Sequence, residues 1–132
     1  MTDRHSQTVE EKAKSKLEKR LVELRSDIQR ELIKRDHELY GDLVDKMSDS
    51  SDASVADLLI DVNLAEIARD LEELRDVESA LRRIELGTFG VCTQCSGDIQ
   101  KARLETVPEA SRCFSCQTAE EGKNQRDSHL KM

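Results

Sequence analysis

The chain has 132 residues, of which 37% are charged and only 2% aromatic, with no Trp, one Tyr and two Phe. So few large rings exclude a broad packed core, and the apolar runs are too short to span a membrane. A formal net charge of −7 argues against a protein that works by neutralising nucleic-acid phosphates.

Abundant Leu, Glu, Lys and Arg point to long helices that bury a narrow seam. Residues Met1 to Gln7 lead into a charged segment with no apolar stretch of the kind that directs export, so a cytoplasmic protein is expected. In the first predicted helix, Leu17, Leu21, Leu24, Ile28, Leu32, Leu39 and Leu43 recur at steps of 3, 4 or 7 and draw one thin apolar stripe. The repeat of eleven that links Leu21, Leu32 and Leu43 predicts a seam that is nearly straight rather than a strict heptad supercoil. Thr8 to Glu11 has the form of a capping box and marks the expected start. No proline follows as far as Met47, which gives a rod of about 58 Å, with Gly41 as its one weak point.

Ser48 to Ser54 is a short polar break. Ser54, with Asp57 three residues on, offers a helix cap, and Leu58, Val62, Ala65, Ile67, Leu71, Leu74, Leu81 and Ile84 carry a second helix to Gly87. Two helices of similar length on a short connection must run antiparallel. The expected fold is therefore mainly α: a long antiparallel helical hairpin, a two-stranded coiled coil, over residues 1–86, with its tip at about 47–55. A small four-cysteine zinc-finger module is expected over 87–122 at the base, with a short helix from Phe114 to about Gly122 and a frayed tail over 123–132.

That module holds every cysteine in the chain: Cys92, Cys95, Cys113 and Cys116, in the pattern C-x2-C-x17-C-x2-C. Two tight pairs at this separation can bring four thiolates to a tetrahedron around one Zn²⁺ per chain. A pair of disulfides is the competing arrangement, and it needs an oxidising compartment that the N-terminus gives no reason to expect. Neither pair sits in the βαβ setting of a thioredoxin-like redox motif. A zinc with four thiolate ligands has no open position for a water, so the site is a staple and not a catalyst. No nucleophile–base constellation and no phosphate-cradling glycine loop occurs elsewhere, and the chain is not expected to be an enzyme. His5, His37 and His129 read as surface or seam residues, since the zinc shell is already complete.

Charge is uneven along the chain. Residues 9–46 hold ten acids and ten bases, and residues 87–132 hold six of each. Residues 47–63 carry Asp49, Asp52, Asp57 and Asp61 with no base, and residues 64–86 have seven acids against four bases. Aspartates favour turns and helix N-termini for local reasons, which accounts for part of this pattern. The functional alternative is an acidic tip that reaches a basic or metal-containing site on a partner. DNA does not fit, because the zinc segment is neutral overall. Lys101, Arg103 and Arg112 are its only cations within the zinc loop.

The run Ile84-Glu-Leu-Gly87-Thr-Phe89-Gly90-Val-Cys92-Thr-Gln-Cys95, followed by Ile99, Arg103-Leu104, Pro108, Ala110 and Cys113-Phe-Ser-Cys116-Gln117, resembles the signature of the DksA/TraR C4-type zinc-finger proteins. The resemblance covers roughly residues 84–118. Where the family usually has Gly directly after the second cysteine, this chain has Ser96, with Gly97 next. The resemblance implies a bacterial transcription factor that binds RNA polymerase, without sequence-specific DNA binding. Its hairpin would enter the secondary channel so that the tip approaches the catalytic Mg²⁺. It also implies an effect on open-complex stability, often together with ppGpp in the stringent response. The family's tip motif, D-x-x-D-x-A, maps onto Asp49 and Asp52, which makes them the candidate partner-binding residues. The alanine slot holds Ser54, with Ala53 one place early. Outside this family, the same features suit a zinc-stapled adaptor for another protein, or a redox sensor whose thiolates release zinc on oxidation.

Overall fold

A computed structural model describes the backbone of residues 3–49 and 54–130, with side chains over 9–49 and 54–122. Among the described residues six helices follow in order: α1 (Asp3–Arg35), α2 (His37–Asp49), α3 (Val55–Leu58), α4 (Ala65–Leu86), α5 (Lys101–Thr106) and α6 (Phe114–Leu130). Helices α1 and α4 form the antiparallel hairpin that the apolar stripes require. Leu17, Leu24, Ile28 and Leu32 of α1 meet Ile67, Leu74, Val77 and Ala80 of α4 in one buried cluster. Each fully buried aliphatic side chain of this seam contributes about 1.5–3 kcal/mol relative to an exposed one. The Arg20 guanidinium clasps the Glu73 carboxylate across the two helices, with Nη2 donating to Oε1 at 2.7 Å.

The first helix departs from expectation at both ends. It begins at Asp3, ahead of the capping box at Thr8. It stops at Arg35, so the single rod ending near Met47 is replaced by two helices joined at Asp36. Asp36 closes one helix through its N–H to Leu32 O and opens the next, its Oδ1 accepting from Leu39 N at 3.0 Å. Basic Lys34 and Arg35 end α1, and acidic Glu38 follows in the first turn of α2, each suited to the helix dipole at that end. Gly41, the expected weak point, lies inside α2 and not at the corner.

Beyond the corner the chain doubles back. The Gln29 amide donates to Ser48 Oγ at 3.1 Å and to Val44 O at 3.5 Å, which places the end of α2 beside the middle of α1. Met47 is 2% exposed and joins the hairpin core. The second predicted helix is also interrupted. Ser54 caps it as read, with Oγ accepting from Asp57 N at 3.2 Å, but α3 lasts one turn before tighter bonds such as Leu59 N to Ala56 O break the ladder. Val55 and Leu59 are fully buried, and the Glu78 carboxylate accepts from Val55 N and Ala56 N at 3.2 and 2.9 Å. The far end of the α1/α4 hairpin therefore lies at Arg35 and Glu66, whose charged groups are 3.5 Å apart, and not at 47–55.

Helix α4 ends as expected at Gly87, which takes φ 76°. Thr88 N reaches Arg83 O and Gly87 N reaches Ile84 O, the bond pair of a Schellman ending. Helix α6 continues past Gly122 to Leu130, in place of the expected shorter helix and frayed tail. A helix-interior glycine costs only about 1 kcal/mol relative to alanine and does not by itself stop a helix.

Candidate metal centre and acidic arm

The zinc segment begins with a small hairpin. Val91 and Asp98 pair as an antiparallel bridge, Cys92 N donates to Gly97 O at 2.8 Å, and Ile99 N donates to Gly90 O at 2.8 Å. This loop presents Cys92 and Cys95 from one side. Cys113 and Cys116 come from the entry and first turn of α6, where Gln117 N bonds Cys113 O at 2.9 Å. Thr93 N to Ser111 O, at 2.9 Å, ties the two halves together. Ile99, Leu104 and Ala110 pack beneath the sulfurs, with Phe89, Val107 and Val9 of α1 at the margin.

All four Sγ atoms lie within 4.8 Å of one another, and Cys95 and Cys113 sulfurs are 3.8 Å apart. Zn–S bonds of about 2.3 Å in a tetrahedron require sulfurs about 3.8 Å apart, so the donor set fits zinc. Its electrostatics agree. Backbone amides of Cys95 and then Cys113 aimed at the sulfur hold the Cys92 pKa down to about 6. The crowded thiols of Cys113 and Cys92 push Cys116 up to about 12. Four sulfurs this close cannot all be thiolates without a cation among them, which a divalent metal supplies. Cys92 and Cys113 are buried, whereas Cys95 is exposed.

Ser96 stands where the left-handed conformation is needed, with φ 62°. The departure from a glycine after the second cysteine therefore falls on a residue for which that backbone is strained. The turn is kept, and Gly97 N donates to Cys95 Sγ at 3.4 Å. A Cβ on Gly97 would lie 3.3 Å from that same sulfur, a tight contact that glycine avoids one place later.

Three cationic side chains, none of them singled out as clamps by sequence reading, brace this segment. Lys16 Nζ donates to Glu105 O at 3.1 Å, and Arg83 Nη2 reaches Glu109 O and Ala110 O at 3.4 and 3.5 Å. Within the segment Arg103 Nε donates to Arg112 O at 3.1 Å. Burial lowers the Arg83 pKa, an effect that nearby Asp76 partly opposes. Nothing in the pattern of these basic residues distinguishes them from solvated ones, because their acceptors are backbone carbonyls. Lys101, by contrast, is exposed.

Asp49 is exposed at the last position of α2, beside the hairpin and not at its end. Asp52 lies outside the described residues. Glu38, Asp42, Asp45 and Asp49, spaced 4, 3 and 4 apart, share one exposed face of α2. Residues 36–61 hold eight acids and one lysine, a net of −7 equal to that of the whole chain. The net acidity of the chain is thus concentrated in the stretch that runs from the corner through α2 and α3.

Comparison with known proteins supports this reading of the centre. Residues 87–122 match the family described as the prokaryotic dksA/traR C4-type zinc finger. The chain is 28% identical over 80 residues to the RNA polymerase-binding transcription factor DksA of Haemophilus influenzae, covering 61% of this chain and 55% of that one. It is 33% identical over 100 residues to general stress protein 16O of Bacillus subtilis, covering 69% of this chain and 60% of that one. The solution structure of the DnaK suppressor protein from Agrobacterium tumefaciens is also similar. That match is 31% identical with a TM-score of 0.49, and it covers 83% of this chain and 91% of that one. The chain thus spans little more than half the length of the two curated relatives. With four cysteines gathered at zinc-binding distances inside the matched segment, residues 87–122 form a zinc finger of the prokaryotic dksA/traR C4 type.

Proposed function

We propose that this chain is a transcriptional regulator that binds RNA polymerase through its secondary channel and modulates initiation, with ppGpp as a candidate co-effector. The observation that carries the reading is a zinc finger of the DksA/TraR kind braced onto a helical hairpin that bears an acidic arm, in a chain similar to a factor named for polymerase binding. Zinc, when bound by Cys92, Cys95, Cys113 and Cys116, fixes the short 87–122 segment as one body. Lys16 and Arg83 then set the orientation of that body relative to α1 and α4. Sequence-specific DNA binding is not part of the proposal, because the segment has no clustered cationic face to displace phosphate counterions. Nor is catalysis, since a zinc held by four thiolates offers no open coordination position. Asp49 and Asp52 are the proposed partner-binding residues.

In vitro transcription with purified polymerase, with and without ppGpp, tests the reading. Asp49→Asn/Asp52→Asn removes two charges at nearly constant size and should change stability by no more than about 0.5 kcal/mol. Polymerase binding should persist in this variant while the effect on transcription falls sharply. Full regulatory activity in the variant would assign these aspartates to turn formation alone. A second reading, a thiol sensor, draws on the exposed Cys95. Zinc release by peroxide at physiological dose, followed with a chromophoric chelator, would favour it.

A further inference from the structure

The two interruptions in the long helices are unusual in what they lack. Neither Asp36 nor the stretch from Leu59 to Leu64 contains a glycine or a proline. At Asp36 the backbone ladder arrives through Asp36 N to Leu32 O and resumes through Tyr40 N to Asp36 O. Only the intervening amides separate two helices from one. The two breaks also stand opposite each other, since Arg35 and Glu66 touch across the hairpin. Leu39, which the continuous stripe places on the seam, is instead 65% exposed.

We propose that the stretches Asp36–Asp49 and Ser54–Leu64 form a bistable arm: folded back against the α1/α4 hairpin at rest, and able to straighten at both breaks into a longer hairpin. Straightening restores the ladder at Asp36 and returns Leu39 to the seam. It also lets Met47, Val55 and Leu59, now buried against α1 and α4, face each other across the extension. One apolar set thus serves two packings, the condition for a two-state element. Polar ties of the folded form include the Gln29 amide on Ser48 and Val44, and the Glu78 carboxylate on Val55 N and Ala56 N. The change carries Asp49 from the side of the hairpin to its end. With 13 residues in α2, the extension is about 20 Å at a rise of about 1.5 Å per residue. The shape of the free chain is the readout, so the proposal stands or falls separately from the polymerase reading.

Small-angle scattering and circular dichroism on the zinc-loaded full chain test it. Asp36→Ala/Glu78→Ala removes the corner cap and the latch while placing good helix formers at both positions. Its maximum dimension should exceed that of the unmodified chain by about 20 Å, with zinc retained and helicity raised. Adding His37→Pro, which fits the first position of α2 but cannot continue α1, should return the variant to the compact dimension. A double variant that keeps the compact dimension overturns the proposal. So does one that loses helicity, which would mean that the arm melts and does not straighten. Lengthening that survives His37→Pro also overturns it.

Discussion

Ser96 shows how far single residues can be read. The four cysteines announce their chemistry through spacing alone, because only a turn of that length brings paired sulfurs within reach of one ion. The substitution of Ser for Gly after Cys95 is visible in the sequence, but its cost depends on φ, which spacing does not report. With φ 62° at Ser96, an L side chain is held in a region that glycine occupies freely. Ser96→Gly should stabilise the zinc-loaded fold by about 0.5–1 kcal/mol, the gain in the native turn being offset in part by the freer unfolded chain. Thermal melts at fixed zinc check this. A destabilised variant would mean that the serine side chain holds the knuckle in some further way.

Among the elements, the α1/α4 seam is legible because buried leucines repeat at helical spacing, and the Schellman ending is legible in Gly87. The corner at Asp36 is not, although Lys34, Arg35, Asp36 and Glu38 together spell a helix end followed by a helix start. An uninterrupted apolar stripe outweighs those signals, since periodicity records which face is apolar and not whether the axis turns. The seam has a testable electrostatic tie. The hydrogen bond from Arg20, with its charge, holds the Glu73 carboxyl below the usual carboxylate range. A lowered folded-state pKa adds stability above the unfolded value of about 4.3, and that stability is lost as pH falls through the folded-state value. Both side chains are more than a third exposed or close to it, so Glu73→Gln should cost less than about 1 kcal/mol at neutral pH. The difference from the unmodified chain should vanish in acid. A cost that persists at low pH would assign Glu73 to packing instead.

At the scale of the molecule, two bodies of different origin are joined. The helical body buries its own core, whereas the zinc segment has little beyond Ile99, Leu104 and Ala110 beneath the sulfurs and depends on metal. A chelator should therefore melt residues 88–120, as read by hydrogen exchange, while most helical circular dichroism remains. A fully protected segment with less than about one zinc per chain would contradict that dependence. The overall class is legible from composition, but the placement of the acidic residues is not, because it follows from the doubling-back of α2 that places Ser48 against Gln29. The central claim, that the chain acts on polymerase and not on DNA, is open to one direct measurement. The zinc-loaded chain, carrying an N-terminal fluorophore, is titrated with purified bacterial RNA polymerase core enzyme in the presence of excess duplex DNA, and anisotropy is recorded. A saturable one-to-one complex at micromolar concentrations, insensitive to the DNA, is expected; no complex with polymerase from a fully folded, zinc-loaded chain would contradict the claim.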